Sequence, residues 1–228
     1  LHYIHLQANP KVGVSYSGSR LIDEHGEIMK VAMRPKLTHV DAADILCRNP
    51  VGNGSAPVFR REALDRAAFR HPEEPDRMCW FDEDFRQSED IELWVRLSSV
   101  HDVQFEGIEG LLTDYRIIGG ALSANVVKQY VSWNRMLEIA ERNCPALVEQ
   151  HGARARAYQL RYLARRSIQL GNAKLAKDLL DRALKAKPTI LVEEPKKSLI
   201  TYCAIQIARL AGPQQFERMA RPFLKAAA

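Results

Sequence analysis

Cysteine is scarce in this sequence: the four among 228 residues, Cys47, Cys79, Cys144 and Cys203, stand far apart. That spacing offers neither a paired disulfide framework nor a metal-ligand motif, and it suggests buried thiols in a reducing cytoplasm. No apolar run approaches the ~20 residues needed to span a bilayer, and no signal peptide opens the chain. Aromatic residues make up only 7%. No nucleic-acid motif or interleaved aromatic platform accompanies the basic residues, so nucleic acid is not expected as a partner. An initiator methionine is also lacking, and Leu1 stands just before an expected strand. The expectation is a fragment or a processed remnant.

What is present is enough for a core, since 46% of the residues are apolar. The net charge of +5 hides an asymmetry. Residues 1–150 hold 17 Lys and Arg against 23 Asp and Glu, a balance of −6, whereas residues 151–228 hold 16 against 5, a balance of +11. Two regions with different partners are expected.

The densest chemistry lies in Gln87-Ser88-Glu89-Asp90-Ile91-Glu92-Leu93-Trp94-Val95-Arg96-Leu97. Ser88 is a good N-cap, and Glu89, Asp90 and Glu92 fall in a first helical turn, where the unpaired N–H groups and the dipole favour ionised carboxylates. Ile91, Leu93, Trp94, Leu97 and Val100 recur at steps of three and four, so one side is buried and fixes where the acids point. Taken by itself, this stretch reads first as ordinary capping and core packing.

Phe81-Asp82-Glu83-Asp84-Phe85 followed by Ser88-Glu89-Asp90-Ile91-Glu92-Leu93-Trp94-Val95-Arg96-Leu97 resembles the acceptor-side motif of family 2 glycosyltransferases of the GT-A fold. Other segments follow in the family's order. Asn9-Pro10-Lys11-Val12-Gly13-Val14-Ser15-Tyr16 resembles the strand after its metal-binding motif, and Ile22-Asp23-Glu24-His25-Gly26 the following turn. The loop from Asn49-Pro50 to Ser55, with Val58-Phe59-Arg60-Arg61-Glu62-Ala63-Leu64, resembles the segment before the base, and Asp114-Tyr115-Arg116-Ile117-Ile118-Gly119-Gly120-Ala121-Leu122-Ser123 the Tyr-Arg segment after it. The resemblance covers roughly residues 1–135. It implies Asp90 as the catalytic base with Glu89 beside it, and substrate-binding roles for Asn49, Ser55, Trp94, Arg96, Tyr115 and Arg116. Trp94 could wall a sugar ring or lie in the core. Arg116 could hold phosphate oxygens or pair with a carboxylate such as Glu89.

The sequence departs from the family in two places. Some relatives carry a histidine where Ile118 stands, so a metal role for that segment is not expected. The family's nucleotide-binding half, with its Asp-x-Asp motif, should precede Leu1. A divalent cation, Mn or Mg, is therefore expected with ligands outside this chain, and no metal ligand is assigned within it. Asp82-Glu83-Asp84 matches Asp-x-Asp by letters only.

Along the chain, residues 12–17 read as a strand ended by Gly18, with residues 28–33 as its hairpin mate. A short helix is expected over 40–46, a glycine-bearing loop over 49–55 and a helix over 61–67. The proline-bearing loop 71–79 could cover an acceptor site or be a surface insertion. Separate strands are expected at 103–105 and 111–117, broken by Gly119-Gly120, then a helix capped by Ser123 or Asn125. The remainder is helical. Leu163-Ala164, Gly171, Ala176, Leu180, Ala183 and Pro188 resemble one tetratricopeptide repeat, followed by a helix stopped at Gly212-Pro213. Arg154, Arg161 and Arg165 share one helical face, which as a solvated or anion-facing stripe could meet the negative inner leaflet of a membrane or a phosphorylated lipid-linked acceptor.

The expected architecture is α/β: a partial GT-A-type mixed sheet, its second half only, over residues 1–135, then a basic, tetratricopeptide-like all-α domain over 136–228. The implied function is an inverting, hexosyltransferase-type enzyme moving a sugar from a nucleotide sugar donor to a hydroxyl of a glycan or lipid-linked acceptor in cell-surface polysaccharide synthesis. The expected place is cytoplasmic, with peripheral attachment at the inner membrane as an option, and the fragment alone is expected to be inactive. The alternative is a non-catalytic helical interaction module on a truncated glycosyltransferase scaffold.

Overall fold

The computed structural model describes residues 1–118 and 125–225, with side chains as far as residue 210. The expected break at Gly119-Gly120 and the cap at Ser123 lie outside the described residues. The architecture is mixed α/β, a small mixed sheet followed by helices.

The sheet is built on strand β1 (Val12–Ile22), which alternates Val12, Val14 and Tyr16 with Ser15, Ser17 and Ser19. All six are buried, so both faces are covered, one by hydrocarbon and one by small hydroxyls. One edge of β1 takes two antiparallel partners in succession, β3 (Val58–Phe59) at Val14 and Ser15, then β2 (Ile28–Met33) from Ser19 to Ile22. The other edge takes β6 (Gln104–Arg116) in parallel along its whole length. Phe69–Arg70 (β4) and Met78–Cys79 (β5) form a separate small ribbon.

Two expectations are corrected here. Gly18 does not end the first strand. A Cβ there would lie 2.7 Å from both the Met33 carbonyl oxygen and Leu111 Cδ2, so glycine is required by the close approach of strands on both sides. The strands expected at 103–105 and 111–117 are one strand. The register jumps from Ser17↔Ile108 to Gly18↔Leu111 through a bulge at Gly110, whose φ of 116° suits glycine, and pairing with β1 then resumes.

Helix α1 (His2–Ala8) precedes the sheet. Helix α2 (Ala42–Arg48) opens with a reciprocal cap, the Asp44 N–H donating to Asp41 Oδ1 at 2.7 Å and the Asp41 N–H to Asp44 Oδ2 at 3.3 Å. After α3 (Arg61–Arg66) comes α4 (Glu89–Ser99), whose Leu93, Trp94 and Leu97 are wholly buried. Ser88 stands at its N-cap but does not cap it. Its backbone is left-handed, with φ of 64°, and its side chain makes no capping bond.

Asn125 caps α5 (Val126–Asn143), accepting from the Lys128 N–H at 3.0 Å. Helix α6 (Pro145–Gln169) folds back on α7 (Ala173–Ala186) through a turn at Gly171, φ 76°. Leu163, Ala164, Ala176, Leu180 and Ala183 are all buried where the two helices meet, and small side chains let the backbones approach. The short α8 (Ile190–Glu193) leads to α9 (Pro195–Lys225). That helix runs past Gly212-Pro213 instead of ending there. One proline costs a helix locally about 3 kcal/mol, which strong helix formers on both sides can absorb.

The sequence boundary at 135/136 falls inside α5, and one apolar core runs from Val14 and Trp94 through Trp133 and Leu163 to Ile205. Of the thiols, Cys47 and Cys79 are buried, Cys144 is half-buried, and Cys203, against expectation, is exposed.

Gly18→Ala is expected to destabilise the chain by about 1–3 kcal/mol, the usual range for overpacking, measured as a lowered midpoint in urea unfolding. An unchanged midpoint would mean that the strands can separate there without loss.

Candidate functional site

A cleft of about 630 Å³ opens between the loop after α2, the first turn of α4 and one face of α6. Each wall follows from local sequence. Asn49 ends α2 in a left-handed conformation, φ 42°, and accepts the Gly52 N–H on its side chain. Asn53 then donates to Ser19 Oγ at 3.0 Å and accepts the Ser55 N–H at 3.1 Å, tying the loop to β1. Gly54 lies against the base candidate, where a Cβ would come 3.9 Å from Asp90 Oδ2.

The structure brings Asp90, Glu89, Asn49, Ser55 and Tyr115 to this one cleft. Asp90 is half-buried. Its Oδ1 accepts the Ile91 N–H at 2.8 Å, and among the described residues no Lys, Arg or His side chain pairs with it. Burial pushes its carboxyl up from 3.8 to about 6; the Ile91 N–H opposes this and the neighbouring Glu89 charge adds to it. The helix start was expected to favour the ionised form, but desolvation outweighs the backbone N–H groups that meet the carboxylate. Tyr115 is near enough to feel Asp90 and Tyr162 of α6, and burial foremost raises its hydroxyl.

Three candidates lie elsewhere. Trp94 is wholly buried between Phe59, ring centroids 5.4 Å apart, and Phe105 at 6.5 Å, so it is core and cannot touch a sugar. Arg96 pairs bidentately with buried Glu92 at 2.8 and 3.0 Å and donates to the carbonyls of Ala67 and Trp80. It braces α4 against the neighbouring loops. Arg116 points to the opposite face of β6 from Tyr115 and donates to the Asp23 and Glu24 carbonyls at 3.1 Å, closing the β1–β2 turn.

Nor does loop 71–79 line the cleft. Its Arg77 instead pairs with Glu74 and Glu83. Asp82 and Asp84 pair with Arg135, and among the described residues no group of three His, Cys, Asp or Glu could hold a metal.

The sequence offered Arg161 and Arg165 as part of a solvated or anion-facing stripe, but not as a wall of this cleft, and it gave no sign of Tyr158 and Tyr162. Tyr158, Arg161, Tyr162 and Arg165 recur at steps of three and four and face the cleft from α6. Arg161 is only 3% exposed and donates to Ser198 Oγ at 3.0 Å and to Glu194, and Arg154 pairs with Glu193 at 3.0 Å. Glu194 also takes Arg48 of α2 and, at 2.8 Å, Lys197 of α9. Burial opposes its ionisation, yet the hydrogen bonds from Arg48, Lys197 and Arg161 hold the carboxyl at about 2. Of the arginines expected to form a stripe, Arg154 and Arg161 are drawn to acidic partners that follow more than thirty residues later, whereas Arg165 is half-buried in the cleft with no such partner among the described residues. Among the described residues no helix is long and apolar enough to cross a membrane.

No protein-family model matches the chain, and no curated protein is detectably similar to it.

An acid whose folded value exceeds its unfolded one destabilises the fold once ionised. Asp90→Asn is therefore expected to leave stability unchanged below pH 4 and to raise it progressively to a plateau above pH 6, by on the order of 2–3 kcal/mol. Denaturant melts from pH 3.5 to 8 measure this. A pH-independent difference would show that Asp90 is not held as described.

Proposed function

We propose that the chain is the acceptor-side part of an inverting glycosyltransferase resembling family 2, with Asp90 as its general base and the sheet with α4 as the second half of a GT-A-type domain. One observation carries this reading: the half-buried Asp90 carboxyl, free of any cationic partner among the described residues, opens on a cleft shared with Asn49, Ser55 and Tyr115. A carboxylate titrating at about 6 is ionised at neutral pH yet takes up a proton more readily than an ordinary aspartate.

In the proposed reaction an acceptor hydroxyl enters the cleft. Its oxygen forms a bond to the anomeric carbon of the donor sugar while the bond from that carbon to the nucleoside diphosphate breaks, the electron pair leaving with the diphosphate. The hydroxyl proton passes to Asp90. Asn49, Ser55 and Tyr115 offer hydrogen bonds that orient the acceptor. Glu89, exposed beside Asp90, keeps the first turn acidic. Nothing among the described residues is assigned to the diphosphate, whose binding and neutralisation the resemblance gives to the donor half.

In the complete enzyme, Asp90→Asn is expected to lower turnover by about a hundredfold or more, and Glu89→Gln by less. Because the base must be ionised, turnover should rise with pH through about 6 and then level. Near-normal turnover of Asp90→Asn sinks the reading.

A further inference from the structure

The α6 wall of the cleft carries more positive charge than the fold neutralises. Arg48, Arg161, Arg165 and Lys197 all line it. Three of them converge on the single carboxylate of Glu194, which leaves that cluster with an excess of two charges. Arg165 has no hydrogen bond or ion pair among the described residues. It is half-buried, and desolvation first, then repulsion by Arg161, disfavours its charge, with Glu194 only partly offsetting them. A guanidinium partly removed from water and crowded by a second cation is a costly arrangement for a fold to keep. It becomes favourable when an anion arrives. The planar fork of arginine suits two oxygens of one phosphate or carboxylate, and a charge-assisted pair in a part-desolvated cleft is stronger than one at an open surface.

We propose that Arg165, with Arg161 and Lys197 beside it, binds an oxyanion, a phosphate or carboxylate, borne by the acceptor whose hydroxyl faces Asp90. This rests on the transferase reading and adds a substrate class to it: the acceptor is anionic, and the basic helical region recognises it from the α6 wall of the same cleft. Glu89 and Asp90 line the cleft from α4 and Arg161 and Arg165 from α6, so an acceptor that carries both a hydroxyl and an oxyanion would be oriented by where its charge binds.

The test is calorimetric titration of the 228-residue chain, in low salt at pH 7.5, with glucose 6-phosphate, glucuronate and neutral glucose. At least one of the two anions is expected to bind saturably, ten-fold or more tighter than glucose. A preference for glucose 6-phosphate assigns the anion to a phosphate, and a preference for glucuronate assigns it to a carboxylate. Arg165→Gln should weaken that binding at least ten-fold, whereas Lys185→Gln, the same charge change on the exposed end of α7, should leave it within two-fold. If Arg165→Gln fails to fold by circular dichroism, Arg165→Lys keeps the charge and removes the fork, and a three-fold or greater loss is expected. Inorganic phosphate should compete in the unaltered chain. Equal binding of glucose, no saturable binding of either anion, or full affinity in a folded Arg165 variant would overturn the proposal. These outcomes are independent of Asp90. Arg165-dependent binding together with normal turnover of Asp90→Asn would remove the transferase reading and keep the anion site.

Discussion

One carboxylate holds the helical half in register with the sheet half. Glu194 receives Arg48 from the end of α2, Arg161 from the middle of α6 and Lys197 from the start of α9, three elements widely separated in sequence. Arg161 is almost without exposure, so the pair cannot be given up piecemeal. Loss of the acid would strand a buried cation, at a cost of about 3–5 kcal/mol. Around this point Tyr158 presents its ring to Arg48 at 3.9 Å and its hydroxyl to Glu193. The position of α6 relative to the loop after α2, and therefore the width of the cleft, follows from these contacts.

The opposite wall is held by different physics. Helix α4 is fixed by apolar burial, with Trp94 wedged between two phenylalanines and the Glu92–Arg96 pair fastening its outer side to two loop carbonyls. This rigid seat lets Asp90 be kept in an environment that disfavours its charge. The fold bears that cost on the α4 wall of the cleft and the cost of Arg165 on the α6 wall. Neither is repaid by a partner within the described chain.

Much of this was readable from residue patterns. The alternation in β1, its hairpin with β2, the spacing of α4 and the small residues of the α6–α7 hairpin each reflect a period that local sequence encodes. The misreadings have a common cause. Gly18 resembles a strand terminator until Met33 and Leu111 are seen to crowd it, and Gly110 resembles a gap between strands until the β1 partner continues past it. Trp94 and Arg96 lie on the right helix, but their roles depend on Phe59, Phe105 and two carbonyls from distant loops. The arginine periodicity of α6 was visible, whereas its direction was set by Glu193 and Glu194, and no local pattern reveals on which side such partners will fold. Asp90 was singled out by resemblance, and its raised proton affinity came only from tertiary burial.

The parallel pairing of β1 with β6 has a consequence for the order of assembly. Val14 meets Phe105 and Leu21 meets Tyr115, so the edge that carries Tyr115 closes only when some ninety residues have been looped back. The α6–α7 hairpin needs no such closure, since its helices are joined by three residues. Loop entropy makes distant strand pairing slow and neighbouring helix contacts fast. The basic helices are thus expected to be in place first, as a template against which the acidic wall is later laid. The cleft is then the last feature of the molecule to acquire its shape.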